Sequence, residues 1–367
     1  MSTTTIVALF VIGALASIAF HELGHFVPAR AFRMAVSDFS VGFGKPLVTL
    51  RRNGIAYRLR LLPLGGFVKI HGMRPGEAMP AEPNGEAFVA RPAWQRFVVA
   101  VAGPSANVVL AWVLLALAGL ALPLQQVSTQ IAADTGGLQA GDRVVVVAGT
   151  EVGSAQALGA HLEQASGPLA VDVARGGDVR SVRVASVEEL GGALGVETTR
   201  MPLAAAAGGA SALLRLLTYE QFVGLGTALT PSNAVDDLRG GFAGEQRSGE
   251  GGLMSIVGLG HVVAQQGGAE SDGIPALVWL LFLLAALNLA LALVNLLPVT
   301  PLDGGHAALA VIEGSVSWVR AAFGGEGAFF LPRLLVSGVT VGSIAVLLTL
   351  GTTLVALDVV NPLSLQG

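Results

Sequence analysis

Two histidines and a glutamate stand at the end of an apolar segment. Residues 6–20 carry no charge, and the pentapeptide His21-Glu22-Leu23-Gly24-His25 follows directly. Because helical positions four residues apart share a face, His21 and His25 can both ligate one metal ion. Glu22 is the residue type that accepts a proton from a metal-activated water. The pattern predicts a hydrolytic zinc site with Glu22 as its catalytic residue.

The composition favours a membrane protein. The 367 residues are 53% hydrophobic and 13% charged, with a mean hydropathy of +0.68, whereas soluble domains carry about 25% charged residues. Cysteine is absent, which excludes disulfides and thiolate ligands and leaves His, Asp or Glu to hold a metal. A net charge of −4 without a basic, aromatic-interleaved patch gives no sign of a nucleic-acid partner.

Four apolar runs have the length needed to span a bilayer. They cover about residues 4–25, 97–124, 274–299 and 334–356, and Gly103-Pro104 interrupts the second. The first run lacks the basic start and the cleavage site of a signal peptide, so we expect it to be retained. The Ala/Leu-rich segment 203–229 includes charged residues and is interpreted as an amphipathic or surface-lying helix.

Charge asymmetry predicts the orientation in the inner (plasma) membrane. Residues 26–97 hold 11 of the 21 Lys and Arg residues against 4 acids, whereas residues 125–275 hold 8 basic residues against 16 acids. The positive-inside rule places the first loop in the cytoplasm and the acidic region outside. The apolar residues 6–20 rise about 22 Å as a helix, so the histidines fall inside the bilayer near its cytoplasmic face.

A third metal ligand must lie at a similar depth, because a catalytic zinc site has three protein ligands and an open position for water. Two aspartates, Asp303 and Asp358, close apolar runs. Before Asp303, Pro298 and Pro301 interrupt a helix, and after it Gly304-Gly305 frees the backbone to fold back. Broken helix at membrane depth lies inside protein or beside a water-filled cavity. We therefore expect Asp303 to be the ligand and Asp358 to end a helix on the opposite side.

At these residues the chain resembles the site-2 protease family of intramembrane zinc metalloproteases. The resemblance rests on the pentapeptide at 21–25, on Asn-Leu-Leu-Pro-Val-Thr-Pro-Leu-Asp-Gly-Gly at 295–305, and on Ala-Gly-Pro-Ser-Ala-Asn at 102–107. It implies cleavage of a substrate's transmembrane helix within the bilayer. It also implies that His21, His25 and Asp303 bind the zinc. In bacterial members with this layout, the usual substrates are membrane-tethered anti-sigma factors already trimmed by another protease.

Residues 57–70 alternate partly between apolar and polar and predict β-structure with a glycine bend at Gly65-Gly66. The resemblance implies a hairpin that dips toward the active site, where Gly65 and Gly66 bind an extended substrate; a hairpin without a substrate role is the alternative. Asn288 and Asn295 share a face of the third span. They are expected to bind substrate backbone or to steady the oxyanion, with hydrogen bonds to other helices as the alternative. Asn107 is interpreted as a bond between spans.

The remaining histidines are given weaker roles. His71 is interpreted as a solvated loop residue, with a conditional metal ligand as the alternative. His306 is interpreted as a cytoplasmic loop residue, with a hydrogen bond near Asp303 as the alternative. His161 and His261 are expected on exposed helix surfaces and are assigned no chemistry.

The acidic outer region resembles a single bacterial PDZ domain over residues 125–199. The specific part is the turn Gly-Leu-Gln-Ala-Gly-Asp-Arg at 137–143, which leads into the apolar stretch 144–147. PDZ domains bind extended peptide ends by strand addition. The resemblance implies that the domain receives a peptide terminus or an upstream-cleaved substrate and gates access, and a structural cap without a ligand is the alternative.

The sequence therefore predicts an α-helical membrane protein with about four transmembrane helices, a membrane-associated β-hairpin loop and one inserted α+β PDZ domain. The expected domains are two transmembrane helices with the β-loop (1–124), the PDZ domain (125–199), a linker with amphipathic or surface helices (200–273) and two last transmembrane helices (274–367). The expected function is intramembrane zinc proteolysis, with one Zn²⁺ per chain and a single-pass membrane protein as substrate, in regulated intramembrane proteolysis.

Other functions fit the sequence less well. A catalytically silent PDZ-containing membrane scaffold would not need Glu22 or Asp303. A zinc transporter would spread ionisable residues over several spans, and the second run offers none. An anchored soluble zincin would carry its histidines outside the apolar run.

Overall fold

The computed structural model describes residues 2–73, 77, 85–228 and 275–361. The chain divides into two compact units. The membrane unit comprises residues 1–119 and 207–367, and the inserted unit comprises Leu120–Ala206. The predicted residue His261 and most of the predicted linker lie outside the described residues.

Four described helices of the membrane unit are long and apolar enough to cross a bilayer. They are α1 (Thr3–Ala31), α2 (Ala93–Ala121), α6 (Ala276–Asn295) and α8 (Arg333–Val360). Uninterrupted apolar sequence adopts helix in such a setting because each backbone polar group finds its partner within the segment. Ser2 starts α1 by accepting a hydrogen bond from the Thr5 amide. The chain is thus a membrane protein, and the exact number of spans stays a prediction.

The predicted interruption of the second run at Gly103-Pro104 is wrong. Helix α2 continues through Pro104 without a break. A proline in a helix removes one backbone hydrogen bond, which packed neighbours can compensate in a membrane protein. The predicted end of this run is also displaced, because Leu124 belongs to strand β3 (Pro123–Ile131) and not to the helix.

Helix α5 (Leu203–Ala228) covers the segment that was interpreted as amphipathic or surface-lying. Its buried residue Ala210 packs in one apolar cluster with residues of α2 and α6. Two polar contacts support this packing: the Trp112 indole N–H donates to Ser211 Oγ at 3.0 Å, and Gln221 Nε2 donates to the Ala286 carbonyl at 3.1 Å. One side of α5 is therefore part of the membrane unit, while Phe222 on the same helix is exposed.

Strands β1 (Val36–Arg52) and β2 (Ile55–Ile70) form an antiparallel hairpin. Residues 38–41 of β1 pair with residues 66–69 of β2 and also with residues 56–59. One stretch of β1 therefore lies between two stretches of β2, and the hairpin is folded back on itself. The predicted β-structure at 57–70 falls within β2, whereas its partner strand β1 was not predicted.

Local chemistry fixes the tip and the base of this hairpin. At the tip, Asn53 and Gly54 both have positive φ angles, 50° and 73°, as the tight turn between two twisted strands requires. At the base, an apolar cluster including Met34, Ile70 and Val99 joins the hairpin to α1 and α2. The base of the hairpin is therefore anchored to α2 and to α1, the helix that carries His21, Glu22 and His25.

The inserted unit is an α+β fold with its own core. Its sheet has the strand order β7-β6-β4-β3-β8, with β5 paired to β4. The strands are β3, β4 (Arg143–Val147), β5 (Thr150–Glu151), β6 (Leu169–Arg175), β7 (Asp178–Val184) and β8 (Leu194–Arg200). Helices α3 (Ala155–Gln164) and α4 (Val187–Ala193) begin at serine caps, Ser154 and Ser186. Thirteen buried apolar residues form one cluster between these elements.

A buried carboxylate holds the turn before β4. Asp142 is 1% exposed, and its two oxygens accept hydrogen bonds from Arg175 Nε at 2.6 Å and Nη2 at 2.5 Å. The Gln139 amide donates a further hydrogen bond to Asp142 Oδ2 at 2.9 Å. Arg175 also donates to the Gly137 carbonyl at 3.1 Å. The ion pair therefore connects β6 to the glycine turn that the sequence analysis singled out.

This ion pair predicts acid sensitivity of the inserted unit. The Arg175 guanidinium holds the pKa of the Asp142 carboxyl below its ordinary value. The folded state therefore binds a proton at Asp142 more weakly than the unfolded chain, in which the pKa of an aspartate is about 3.9. The pair stabilises the unit fully at a pH above that value, and its contribution is lost as the pH falls through the lowered pKa of the folded state. In Arg175→Gln, the backbone amides of β4 and β6 should exchange their hydrogens about tenfold faster at neutral pH. The exchange rate should also change less than in the unmodified chain as the pH is lowered. Hydrogen exchange on the full chain measures both effects.

The exposed Arg183 on β7 provides the matched control, and Arg183→Gln should leave both the exchange rate and its pH dependence as in the unmodified chain. If Arg175→Gln exchanges like this control at every pH, the ion pair does not hold the turn.

Candidate active site and metal centre

Three possible metal ligands converge where α1 meets the start of α7 (Asp303–Ala322). His21 Nε2 and His25 Nε2 each lie 3.2 Å from Asp303 Oδ2 and 3.2 Å from each other. A tetrahedral ion with ligand bonds near 2.0 Å separates its ligands by about 3.3 Å. Asp303 Oδ2 is buried and receives no hydrogen bond. The spacing, the donor types and this unsatisfied oxygen fit a zinc ion.

Helix α1 presents its ligands through a tight contact with α2. A Cβ atom on Gly24 would lie 2.5 Å from the Ala102 carbonyl oxygen and 2.9 Å from Gly103 Cα. A Cβ atom on Gly103 would overlap the His25 ring. Only glycine at these two positions lets the helices approach so closely, and the His25 ring occupies the space that Gly103 leaves.

The second helix also fixes the orientation of the His25 ring. His25 Nδ1 lies 2.7 Å from the Val99 carbonyl oxygen. Because a carbonyl only accepts hydrogen bonds, Nδ1 carries the proton, and the lone pair of Nε2 points toward Asp303 and His21. A backbone group of α2 thereby sets the tautomer that a metal requires.

Asn107 contacts the other histidine. It is fully buried, and its amide group lies 3.2 Å from His21 Nδ1. Rotation of the amide by 180° exchanges its two ends and brings Oδ1, which is otherwise buried without a hydrogen bond, onto the His21 Nδ1 proton. His21 Nε2 is then available to a metal. The predicted bond between spans is present, and it is directed at a candidate ligand.

The third candidate ligand, Asp303, is placed by the close packing of two glycines at the start of α7. Asp303 is the first residue of α7, and a Cβ atom on Gly304 or Gly305 would overlap the backbone of Leu296 or Thr300, respectively. The first turn of α7 therefore packs directly on the segment that follows α6. Helix α7 itself was not predicted, and the loop interpretation of His306 is wrong because this half-buried residue lies in its first turn.

Glu22 faces the hairpin. A Cβ atom on Gly66 would lie 3.0 Å from Glu22 Cγ, 2.9 Å from Ile18 Cγ2 and 2.8 Å from the Ser40 carbonyl oxygen. The backbone of Val68 forms a hydrogen bond with the Glu22 carboxylate. Glu22 is mostly buried. The structure therefore brings β2 against the candidate base, and Gly66 is the residue whose missing side chain allows this contact.

Comparison with known proteins shows the family of the chain. The sequence profile of peptidase family M50 matches residues 9–322. The chain belongs to peptidase family M50. This is the site-2 protease family, so the chain is a zinc metalloprotease of the site-2 type.

Three relatives illustrate the similarity. The chain is 32% identical to the zinc metalloprotease Rip1 of Mycobacterium tuberculosis over 100% of both chains. It is 31% identical to Rip1 of Mycolicibacterium smegmatis over 98% of each chain. It is 28% identical to the metalloprotease MmpA of Caulobacter vibrioides over 87% of this chain and 89% of the relative. The likeness extends over the membrane unit and the inserted unit.

Two predicted substrate-binding asparagines of this protease differ in their surroundings. Asn288 is fully buried, and its Nδ2 donates to Ser17 Oγ at 2.8 Å and to the Leu284 carbonyl at 2.7 Å. Asn288 Oδ1 is buried without a hydrogen bond. The structure therefore has the inter-helix alternative through Nδ2, and the substrate contact of Asn288 stays a prediction. Asn295 is the half-buried last residue of α6, and its substrate role stays a prediction.

Two further residues of the protease, Gly65 and His71, lie in β2 and directly after it. Gly65 has a φ angle of 124°, and a Cβ atom on it would lie 2.6 Å from the Phe43 ring. It therefore shapes the hairpin and does not face Glu22 as Gly66 does. The solvated interpretation of His71 is wrong, because His71 is buried and its Nδ1 lies 3.4 Å from Glu77 Oε1. His71 is not part of the group of three candidate ligands.

The polar residues that attach α7 to the rest of the protease were not predicted from the sequence. The buried pair Arg96 and Glu313 is the main example. An arginine directly before an apolar run is typical of a cation at the membrane border. Its position therefore does not predict an ion pair with a residue far away in the sequence. The signal for α7 was present in Asp303 and in the helical spacing of the buried Ala307 and Ala310 that follow it.

The space that Gly103 leaves for the His25 ring gives a direct prediction. In Gly103→Ala, the added methyl group must displace the imidazole, so we expect zinc affinity to fall at least tenfold (about 1.4 kcal/mol). Gly338→Ala on α8 is the matched control, because a Cβ atom there meets no other atom within 4 Å. Titration of the purified proteins with a competing chelator measures the affinity. Equal zinc affinity in both variants would mean that the ring position does not govern metal binding.

Proposed function

We propose that the chain hydrolyses a peptide bond within or near the transmembrane segment of a membrane-protein substrate, with His21, His25 and Asp303 as the zinc ligands and Glu22 as the catalytic base. The observation that carries this proposal is the triangle of donor atoms, 3.2 Å on each side, beside a buried glutamate. The two histidines of the triangle belong to α1, a helix that is apolar enough to span a bilayer. Depth and donor chemistry together support proteolysis inside the membrane.

The division of labour follows from the site. When bound, zinc supplies Lewis-acid chemistry that polarises the scissile carbonyl and makes a water acidic near neutral pH. Glu22 accepts the proton of the attacking water and delivers it to the leaving amine. The Val68 hydrogen bond and the Gly66 contact hold the Glu22 side chain in one position. Val99 and Asn107 orient the two imidazoles, so the chain's own residues fix every group before a substrate arrives.

The hairpin is proposed to receive the substrate. A transmembrane helix must unwind before a protease reaches its peptide bonds, and a strand edge can bind the extended backbone. Strand β2 supports this role because Gly66 lies against Glu22, so a peptide paired beside it would run past the base. Asn295 is proposed to bind the substrate backbone or the oxyanion from the end of α6, and Gly65 to maintain the hairpin shape.

The inserted unit is proposed to be the PDZ domain that selects substrates. Its α+β fold, with two helices and a sheet whose strand β3 follows α2 in the chain, supports this assignment. Charge asymmetry supports a position on the outer face of the inner membrane, with the active site near the cytoplasmic face. A membrane-tethered anti-sigma factor, cut first by another protease, is the proposed substrate. The silent-scaffold alternative gains no support, because the catalytic groups are present and assembled.

The mechanism predicts that two substitutions separate metal binding from hydrolysis. Glu22→Gln should keep its zinc and lose cleavage by a factor of about 10²–10⁴, because only the proton acceptor is removed. Asp303→Ala should lose both zinc and cleavage. The measurements are metal content and cleavage of a single-span helix containing helix-breaking residues, in detergent, with and without a zinc chelator.

His161→Ala, on the inserted unit, is the matched histidine control and should resemble the unmodified chain. Normal zinc content in Asp303→Ala would refute the assignment of the third ligand. Undiminished cleavage by Glu22→Gln would refute the assignment of the base.

Removal of the inserted unit tests its selective role. Pro123 and Arg200 are directly paired across β3 and β8, so deletion of 125–199 joins two residues, Leu124 and Arg200, that already lie close together. We expect the deletion variant to cleave a short transmembrane peptide within about threefold of the intact chain, and to lose discrimination between full-length and pre-trimmed substrates. Competition between the two substrates measures this discrimination. Complete loss of cleavage of the short peptide would mean that the unit has a structural or catalytic role.

A further inference from the structure

A buried ion pair joins α2 to α7. Arg96 Nη1 donates to Glu313 Oε2 at 2.6 Å, and both residues are 6% exposed. Arg96 lies in the first turn of α2, and Glu313 lies midway along α7. Charges so enclosed are costly to bury, and removing one partner of such a pair leaves an uncompensated buried charge.

The segment between α7 and α8 closes over this pair. The Leu331 amide donates to Glu313 Oε1 at 3.1 Å, and the Arg96 guanidinium lies 5.5 Å from the centre of the Phe330 ring. The Phe329 amide donates to Ser317 Oγ at 2.8 Å, one helical turn beyond Glu313. Both oxygens of Glu313 are therefore engaged, and water is replaced by chain segments on several sides.

The geometry leaves little freedom between α2 and α7 at this point. A Cβ atom on Gly314 would lie 2.7 Å from the Cβ of Ala93, so the helices are in close contact. Arg96 is only three residues before Val99, whose carbonyl orients His25. The same turn of α2 thus holds one histidine ligand and the middle of the helix that carries Asp303.

Helix α7 is consequently fixed at two points. Its first turn packs on the backbone at Leu296 and Thr300, and Glu313 anchors it to α2 about 15 Å further along, since ten residues each rise 1.5 Å. Two points determine both the position and the direction of a rigid helix. A shift of the second point rotates the helix about the first and moves the Asp303 carboxylate relative to the imidazoles.

We propose that Arg96 and Glu313 are positioning residues for the metal centre, which set the distance between Asp303 and His25 through the placement of α7. The inference rests on the proposed zinc ligands. A positioning role differs from a purely stabilising one in a way that can be measured. Apolar replacement of both members of a buried ion pair is often neutral or favourable for stability, but apolar side chains do not reproduce the length and direction of the contact between Arg96 and Glu313.

The test compares zinc affinity with thermal stability in the full chain. Arg96→Met and Glu313→Gln each leave a buried partner without its ion pair, so both quantities should fall, with zinc affinity at least tenfold weaker. The double variant Arg96→Met/Glu313→Leu removes both charges, and it should regain most of the melting temperature while zinc affinity stays at least tenfold below that of the unmodified chain. Chelator competition and thermal unfolding of the metal-free protein provide the two readouts.

Gln221→Leu is the matched control, because it removes a comparable contact between helices, the bond to the Ala286 carbonyl, outside the α2–α7 contact. It should lower stability without changing zinc affinity. Zinc affinity in the double variant equal to that of the unmodified chain would overturn the proposal, as would an equal loss in Gln221→Leu. Asp303→Ala is measured alongside: normal zinc binding in that variant would refute the ligand assignment itself, whereas loss there, with full affinity in the ion-pair variants, would refute only the positioning role.

Discussion

The close contact between α1 and α2 is the constraint on which the active site depends. Gly24 and Gly103 lack side chains where the two backbones meet, and the space they leave is filled by the ring of His25. The second helix then supplies the Val99 carbonyl and the Asn107 amide that orient the imidazoles. One helix carries two candidate ligands and its neighbour fixes their direction, so neither helix alone defines the candidate metal site.

A hydrolytic centre inside an apolar unit also needs polar backbone that is not already used in a helix. The hairpin provides it, because its strands are folded back and Gly66 brings β2 against Glu22. The third candidate ligand comes from another interruption, the non-helical segment between α6 and α7 on which the glycines of α7 pack. Both departures from helical structure therefore meet at the proposed base and ligands, which agrees with the general cost of irregular backbone at membrane depth.

Local patterns in the sequence predicted the parts of the site that are local. The spacing of His21 and His25 and the Pro/Gly context of Asp303 singled out three residues that the structure brings together, because each pattern depends on a few neighbouring residues. The pair Arg96–Glu313 is separated by 217 positions, and such a contact leaves no trace in either neighbourhood. The burial of His71 and Asn288 was missed for the same reason, since it depends on which segments fold over them. Helix α7 was missed because the glycines that begin it have the pattern of a loop.

The pairing of Leu124 with Thr199 has a consequence for how such enzymes diversify. The first and last strands of the inserted unit are neighbours in its sheet, so the unit begins and ends at nearly the same place. A domain held in this way can be exchanged, duplicated or lost during evolution without altering the helices that form the hydrolytic centre. Selectivity and chemistry are then free to evolve at different rates within a single polypeptide.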